Sequence, residues 1–209
     1  MGAGSACRFA IVAALVVALV AFAQTSRADE LTSTQRDFAG RLVAAALERT
    51  KHRVVYDPAY VKIAYPGGDV APGRGVCTDV VIRAYRALGI DLQKEVHEDM
   101  RRHFGLYPKR WGLAAPDTNI DHRRVPNLRT FFARHGKKPA VTQNPSDYLP
   151  GDLVTWNLDS GVPHIGIVTD RRGPDKKRFL IVHNIGAGPQ LEDVLFAWKI
   201  TGHYRYGGK

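Results

Sequence analysis

Cysteine is nearly missing from this chain, with two in 209 residues. A small domain stapled by several disulfides is therefore excluded. Long hydrophobic runs are lacking too. The longest, Phe9 to Ala23, has 15 residues, short of the ~20 that a spanning helix needs. Acidic residues are scarce, 20 Asp and Glu against 30 Lys and Arg, which leaves a formal net charge of +10 and suits an anionic partner. Neither Gly (20) nor Pro (12) is in excess, so collagen-like and low-complexity chains fall away. The basic residues come as scattered pairs such as Arg101-Arg102, Arg123-Arg124 and Lys137-Lys138, without interleaved aromatics. No stacking platform for nucleic acid is formed that way, and no nucleic-acid partner is expected. Eight His residues are present, yet no His-x-x-x-His or similar compact spacing. An open zinc site from His164, His183, His122 and Asp121 thus lacks support, and no metal or cofactor is expected.

What is present begins with a targeting segment. Arg8, the apolar run 9–23 and the small-residue ending Ser26-Arg27-Ala28 form a secretory signal peptide at 1–28. The expected product is exported, periplasmic or secreted, and monomeric, with no stable membrane insertion once the signal is cleaved. Residues 29–209 make a single domain. Loss of the signal removes two arginines and no acid, leaving +8, and it removes Cys7, so that Cys77 alone remains. A lone Cys in an oxidising compartment is either a small buried hydrophobe or a reactive group.

Along the mature chain, apolar spacing predicts a helix over 33–50 with Thr34 and Asp37 as a capping box. A loop rich in Tyr, Pro and Gly follows at 54–74, and further helices are predicted at 78–88, 91–104 and 127–135. Residues 107–124 are expected to be a long loop. The period then changes to that of strands at 152–156, 164–168, 179–183 and 200–206. Helices followed by an antiparallel sheet make an α+β domain.

Chemistry is concentrated at three positions. Cys77 lies at a helix start, where free backbone N–H groups and the helix dipole favour a thiolate; Asp79 opposes it. His164 opens an apolar strand, Val-Pro-His-Ile-Gly-Ile-Val, and an imidazole held there suits a general base. His183 ends the next strand 19 residues on and could orient the His164 ring, a role for which its neighbour Asn184, on the opposite face, competes.

Cys at a helix start, Gly151-Asp-Leu-Val154, His-Ile-Gly-Ile-Val and Phe-Leu-Ile-Val-His183 together resemble the NlpC-type superfamily of papain-like cell-wall cysteine peptidases and amidases, in a secreted bacterial branch of unknown function. The resemblance implies a papain-like fold and places Cys77, His164 and His183 as nucleophile, base and orienter. It also sets Tyr65-Pro-Gly-Gly68 beside a substrate cleft. Here Val76-Cys77-Thr78-Asp79 stands where that superfamily usually has Asp-Cys-Ser-Gly. The function expected is hydrolysis of amide bonds in peptidoglycan stem peptides or another amide-containing envelope substrate. Tyr65 or Tyr56 would help the Cys77 amide hold the oxyanion, and Asp121 with His122 would form a polar network beside the cleft. A thioester-forming acyltransferase or transpeptidase, and a binding module without turnover, are the alternatives on the same fold.

Overall fold

The computed structural model describes residues 31–208; the signal segment and Cys7 lie outside the described residues. Helix α1 (Ser33–Arg49) opens on a capping box. Thr32 and Gln35 form it reciprocally, Gln35 N–H to Thr32 Oγ1 at 3.2 Å and Thr32 N–H to Gln35 Oε1 at 3.0 Å. The box therefore sits two residues earlier than the Thr34 and Asp37 pair predicted. From Asp37 onward the chain forms one compact unit.

Helices α2 (Cys77–Ala87), α3 (Leu92–His103) and α4 (Val125–His135) follow, linked by short 3₁₀ turns at Phe104–Leu106 and Asp121–Arg123. Asp91 caps α3, its carboxylate accepting from the N–H groups of Gln93 and Lys94. The C-terminal part is an antiparallel sheet of β3 (Leu153–Asn157), β4 (Pro163–Arg172), β5 (Phe179–Asn184), β6 (Pro189–Glu192) and β7 (Lys199–Tyr204). Its order is β6-β5-β4-β3-β7. The fold is α+β, as the change of period implies.

Alternation along the strands decides what each face buries. Ile165 and Ile167 of β4 and Leu153 of β3 join one core with Leu42 and Ala46 of α1, Val81 and Tyr85 of α2, Val96 of α3 and Phe132 of α4. Val154, Trp156, Val168 and Ile181, on the other face, form a second core with Tyr148 and Leu195. A register shift between Thr155 and Trp156 in the β3–β7 ladder accompanies the pairing of Trp156 with His164 across β3 and β4.

Two elements escaped the hydrophobic pattern. Within the 54–74 loop, β1 (Val55–Tyr56) and β2 (Arg74–Gly75) form a two-residue parallel ladder that sets Tyr56 opposite Gly75. The loop is held by Arg83, a buried residue of α2. Its guanidinium meets the Asp69 carboxylate at 2.9 Å and donates to the carbonyls of Val70, Ala71 and Arg74. Residues 69–74, just before Cys77, are thus pinned from a buried cation. Strand β6 is the second element; Pro189 and two polar residues hide its period.

Arg83→Ala removes the side-chain donor to the Val70, Ala71, Pro72 and Arg74 carbonyls, while Asp69, partly exposed, keeps Arg86 at 2.8 Å. Acceptors left unpaired in this way typically cost about 1–3 kcal/mol. A fall of that size in unfolding free energy, with an unchanged denaturant slope, is expected from urea titration. A loss below 1 kcal/mol would mean that the loop is held by something else.

Candidate active site

Cys77 is the first residue of α2 and is buried. The backbone N–H groups of Ile165, Thr78 and Cys77 itself favour the thiolate, an influence that comes from the helix start and from the strand residue after His164. Burial still wins. Desolvation, with the Asp79 carboxylate as a lesser contributor, pushes the thiol up to about 12. The thiolate favoured by the helix start is outweighed, and Cys77 rests as a neutral thiol.

Asp79 is held away from a purely repulsive role. One of its oxygens accepts the Val76 N–H at 2.7 Å, closing the first turn. Both oxygens meet the Arg123 guanidinium, at 2.9 and 3.0 Å, and both partners are almost fully buried. Arg123 also donates to the carbonyls of Asp57 and Ala59, and its own carbonyl accepts the Thr78 hydroxyl. Glycine at 75 is required by this arrangement: φ is +158°, and a Cβ there would come within 3.1 Å of the Asp79 carboxylate.

His164 and His183 are both buried, and His164 Nε2 lies 2.9 Å from His183 Nδ1. Continuing the β4–β5 register, in which Ile167 pairs with Val182, makes the two histidines diagonal neighbours on one face. Gly166 makes room for the pair, since a Cβ there would lie 2.6 Å from the Ile181 side chain and 3.2 Å from His183 Cβ. Glu192 Oε2, on β6, lies 2.8 Å from His183 Nε2 in an oblique approach. If His164 Nε2 donates to His183 Nδ1, His183 presents its remaining N–H to Glu192, and His164 Nδ1 is left with a lone pair. The rings of Trp156 and Trp198 stand 5.9 and 6.0 Å from His164. Desolvation, reinforced by His183, lowers His164 to about 3. His183 is also lowered by burial, with Glu192 opposing.

A groove of about 530 Å³ opens on Cys77, lined by Tyr56, Tyr60, Trp111, Arg123, Arg124 and Pro163 among others. Residues 107–124 build one wall. Tyr60 donates to Asp117 at 2.9 Å and accepts from Asn119 at 3.0 Å, while Arg124 lies over the Trp111 ring. Tyr56 is half-buried, and burial with the nearby Cys77 raises it to about 12, so its hydroxyl keeps its proton.

Of the residues expected from sequence, Cys77 and Tyr56 line the groove. His164 and His183 do not: His164 stands across from Trp156 on the β4 face opposite Ile165 and Ile167, with His183 beside it. Asn184 is buried against the approach to Cys77, its amide donating to the Gly75 carbonyl and its oxygen accepting from the Gly186 N–H. Tyr65 does not line the groove: it packs edge-on against His97 of α3, because Gly67 and Gly68 donate to Asp91 and Gln93 at the start of that helix. Asp121 and His122 lie beneath the wall rather than beside the cleft, since their 3₁₀ turn directs them inward and Arg123 and Arg124 to the groove. Asp121 accepts the Asp117 N–H and is raised to about 6 by burial. His122 is lowered to about 3, by burial and then by Arg123. Among the described residues no group of three or more His, Cys, Asp or Glu could hold a metal. Glu192, Trp156, Trp198 and the pairing of Asp79 with Arg123 are not foreshadowed by the sequence, in which Asp79 stands out as a charge opposing the thiolate.

A family model described as a domain of unknown function, DUF1287, matches residues 43–206, which includes every residue of this site. The chain belongs to the DUF1287 family. A similar protein is "Uncharacterized protein YijF" of Escherichia coli (strain K12), 60% identical over 151 residues, covering 72% of this chain and 73% of that protein.

Two predictions follow from burial in this DUF1287 site. His122 and His164 have folded-state values near 3 against ~6.5 when unfolded. Below pH 6.5 the unfolded chain takes up protons that the fold refuses. Stability should fall from there towards pH 3 by ~1.4 kcal/mol per pH unit for each histidine. Asp121, raised to about 6, offsets part of this between about pH 6 and pH 4. Urea titrations at pH 7, 5.5 and 4.5 should show the loss, and His122→Gln should reduce the slope by about one proton; a flat profile would mean that the two rings are not held neutral. Separately, Gly166→Ala should displace His183 and cost about 1–3 kcal/mol as an overpacked contact, read as a lower melting temperature together with altered His183 NMR signals.

Proposed function

We propose that this protein is an exported, papain-like cysteine hydrolase of the NlpC type that cleaves amide bonds in peptidoglycan stem peptides. The observations that support it most are the chain of contacts from His164 through His183 to Glu192 and a cysteine at a helix start that opens on a groove, its thiol influenced by the backbone N–H of Ile165, the residue after His164. A buried lone cysteine with a purely packing role would need neither the imidazole pair nor the carboxylate behind it.

Both reacting groups start neutral in this reading. His164 Nδ1, the ring atom that His183 leaves free, takes the Cys77 proton as Sγ attacks the carbonyl carbon. A tetrahedral intermediate forms with its oxygen near the Cys77 amide and the Tyr56 hydroxyl. Such donors are typically worth about 3 kcal/mol each at the transition state. The imidazolium is stabilised through His183 by Glu192 and returns its proton to the leaving amine. The acyl group remains on sulfur as a thioester, and water activated by His164 releases the carboxylate. Because proton transfer accompanies attack, no standing thiolate is needed.

The test uses the peptide L-Ala-γ-D-Glu-diaminopimelate-D-Ala, with new amino groups read by mass spectrometry. Cleavage is expected from the native protein and lost in Cys77→Ala. His164→Ala should be as inactive as Cys77→Ala. Glu192→Gln should lower kcat about tenfold with KM unchanged, because it touches only the imidazolium. Iodoacetamide alkylation of Cys77 should be slow at pH 7 and still rising at pH 9. No cleavage, with alkylation indifferent to His164→Ala, would overturn the hydrolase.

A further inference from the structure

The Cys77 groove does not end at its own wall. A second groove, of about 520 Å³, shares Arg110, Pro126 and Pro163 with it and continues along α4 past Arg129 and Arg134 to Lys138. Its lining contains no acidic side chain. Arg134 is already neutralised by the buried Asp99 carboxylate, 2.8 Å away. The other three cations are not. Arg129 donates to the Thr201 carbonyl at 2.9 Å, a neutral acceptor, and neither Arg110 nor Lys138 meets a carboxylate among the described residues. Arg110 and Lys138 are exposed and Arg129 is half-buried.

Three uncompensated cations converging on one concave surface repel one another at a cost that an anion would remove. No aromatic ring except that of the buried Tyr204 lines the groove, so stacked bases would find no platform. Apolar Leu106, Ala133 and the shared prolines lie between the charges, which suits a chain of alternating polar and apolar groups better than a uniformly charged polymer. Guanidinium forks match carboxylates in a bidentate geometry.

We propose that this second groove is a substrate subsite that binds the carboxylate-bearing part of a peptide whose scissile amide lies at Cys77, with Arg129, Lys138 and Arg110 as its specificity-determining residues. The proposal rests on the hydrolase reading for the position of the amide, and it adds the substrate's charge. One extended chain, advancing about 3.3 Å per residue, occupies both grooves through the lining that they share.

The experiment measures binding by calorimetry in the Cys77→Ala protein, so that turnover does not consume the ligand, and cleavage in the native protein. The probes are L-Ala-γ-D-Glu-diaminopimelate-D-Ala, the same peptide with its carboxylates converted to amides, and an oligomer of glycerol phosphate. The acidic peptide is expected to bind at least tenfold more tightly than the amidated one. That preference should fall to under twofold when Arg129→Gln and Lys138→Gln are combined. Lys138→Gln alone, at an exposed side chain without a partner, should cost two- to threefold with no change in melting temperature. Arg171→Gln, at an exposed residue of β4 outside both grooves, should change nothing. Equal binding of the two peptides would overturn the subsite, as would a preference that survives the double substitution. So would glycerol phosphate binding more tightly than the peptide with the same dependence on Arg129 and Lys138. Carboxylate preference without cleavage by the native protein would sink the hydrolase and leave the subsite standing; cleavage without carboxylate preference would do the reverse.

Discussion

The buried ion pair between Asp79 and Arg123 is the constraint on which the candidate site depends. Without Arg123, Asp79 would be an uncompensated charge in the first turn of α2, two residues from Cys77. With it, one carboxylate closes the helix start through Val76 and anchors a guanidinium that reaches the carbonyls of Asp57 and Ala59. Three segments far apart in sequence are thereby fixed together: the Tyr56 ladder, the helix start and the 3₁₀ turn beneath the groove wall. Taking two charges out of water is costly, and replacing such pairs by apolar residues is often neutral or better for stability. The geometry accounts for a pair here in another way. An apolar residue at 79 could neither accept the Val76 N–H nor draw the Tyr56 segment across to the sulfur.

The same economy of means applies to the two histidines. Each is a poor proton acceptor when buried alone, because burial penalises the imidazolium. His183 and Glu192 supply an exit for the positive charge that His164 would gain, while Trp156 and Trp198 keep water from the rings. Burial and stabilisation thus act at different moments. In the resting protein burial dominates and both Cys77 and His164 are neutral; in the proposed reaction the Glu192 carboxylate, at the end of the chain, would answer the proton that His164 takes up. A site built this way differs from one holding a preformed thiolate and imidazolium, in which the field is already spent on the ground state.

How much of this was legible in the residues follows from what kind of signal each element leaves. Helix α3 is readable because it buries one face and so writes its period into the chain. Helix α2 and strands β3, β4 and β5 are buried nearly all round, and the strands are readable instead as short β-branched and aromatic runs between turns. The Cys77, His164 and His183 positions are readable as polar residues at the ends of such segments. Strand β6 is not, since Pro189-Gln-Leu-Glu192 alternates over only four residues and opens on a proline, and Glu192 is lost with it. The β1–β2 ladder is two residues long and held by Arg83, a residue whose role is visible only when four loop carbonyls and carboxylates surround it. Tyr65 was misplaced because Gly67 and Gly68 signal a close backbone approach without saying to what; the partner proved to be the start of α3.

Asp79 illustrates the limit most plainly. From sequence alone its two effects, capping α2 and opposing a thiolate, have opposite signs and no means of being weighed. The outcome turned on a residue 44 positions away. Local sequence can state which interactions a residue is capable of, and pairing across the fold decides which of them prevails. The basic pairs obey the same logic. Arg123-Arg124 and Lys137-Lys138 look alike as dipeptides, yet Arg123 is consumed by a buried carboxylate, Arg124 covers Trp111 and reaches Asp121, and Lys138 meets no acid among the described residues. A net charge of +10 is therefore a poor description of this surface: what matters chemically is the small number of cations that folding leaves uncompensated, and several of these line the groove that continues from Cys77.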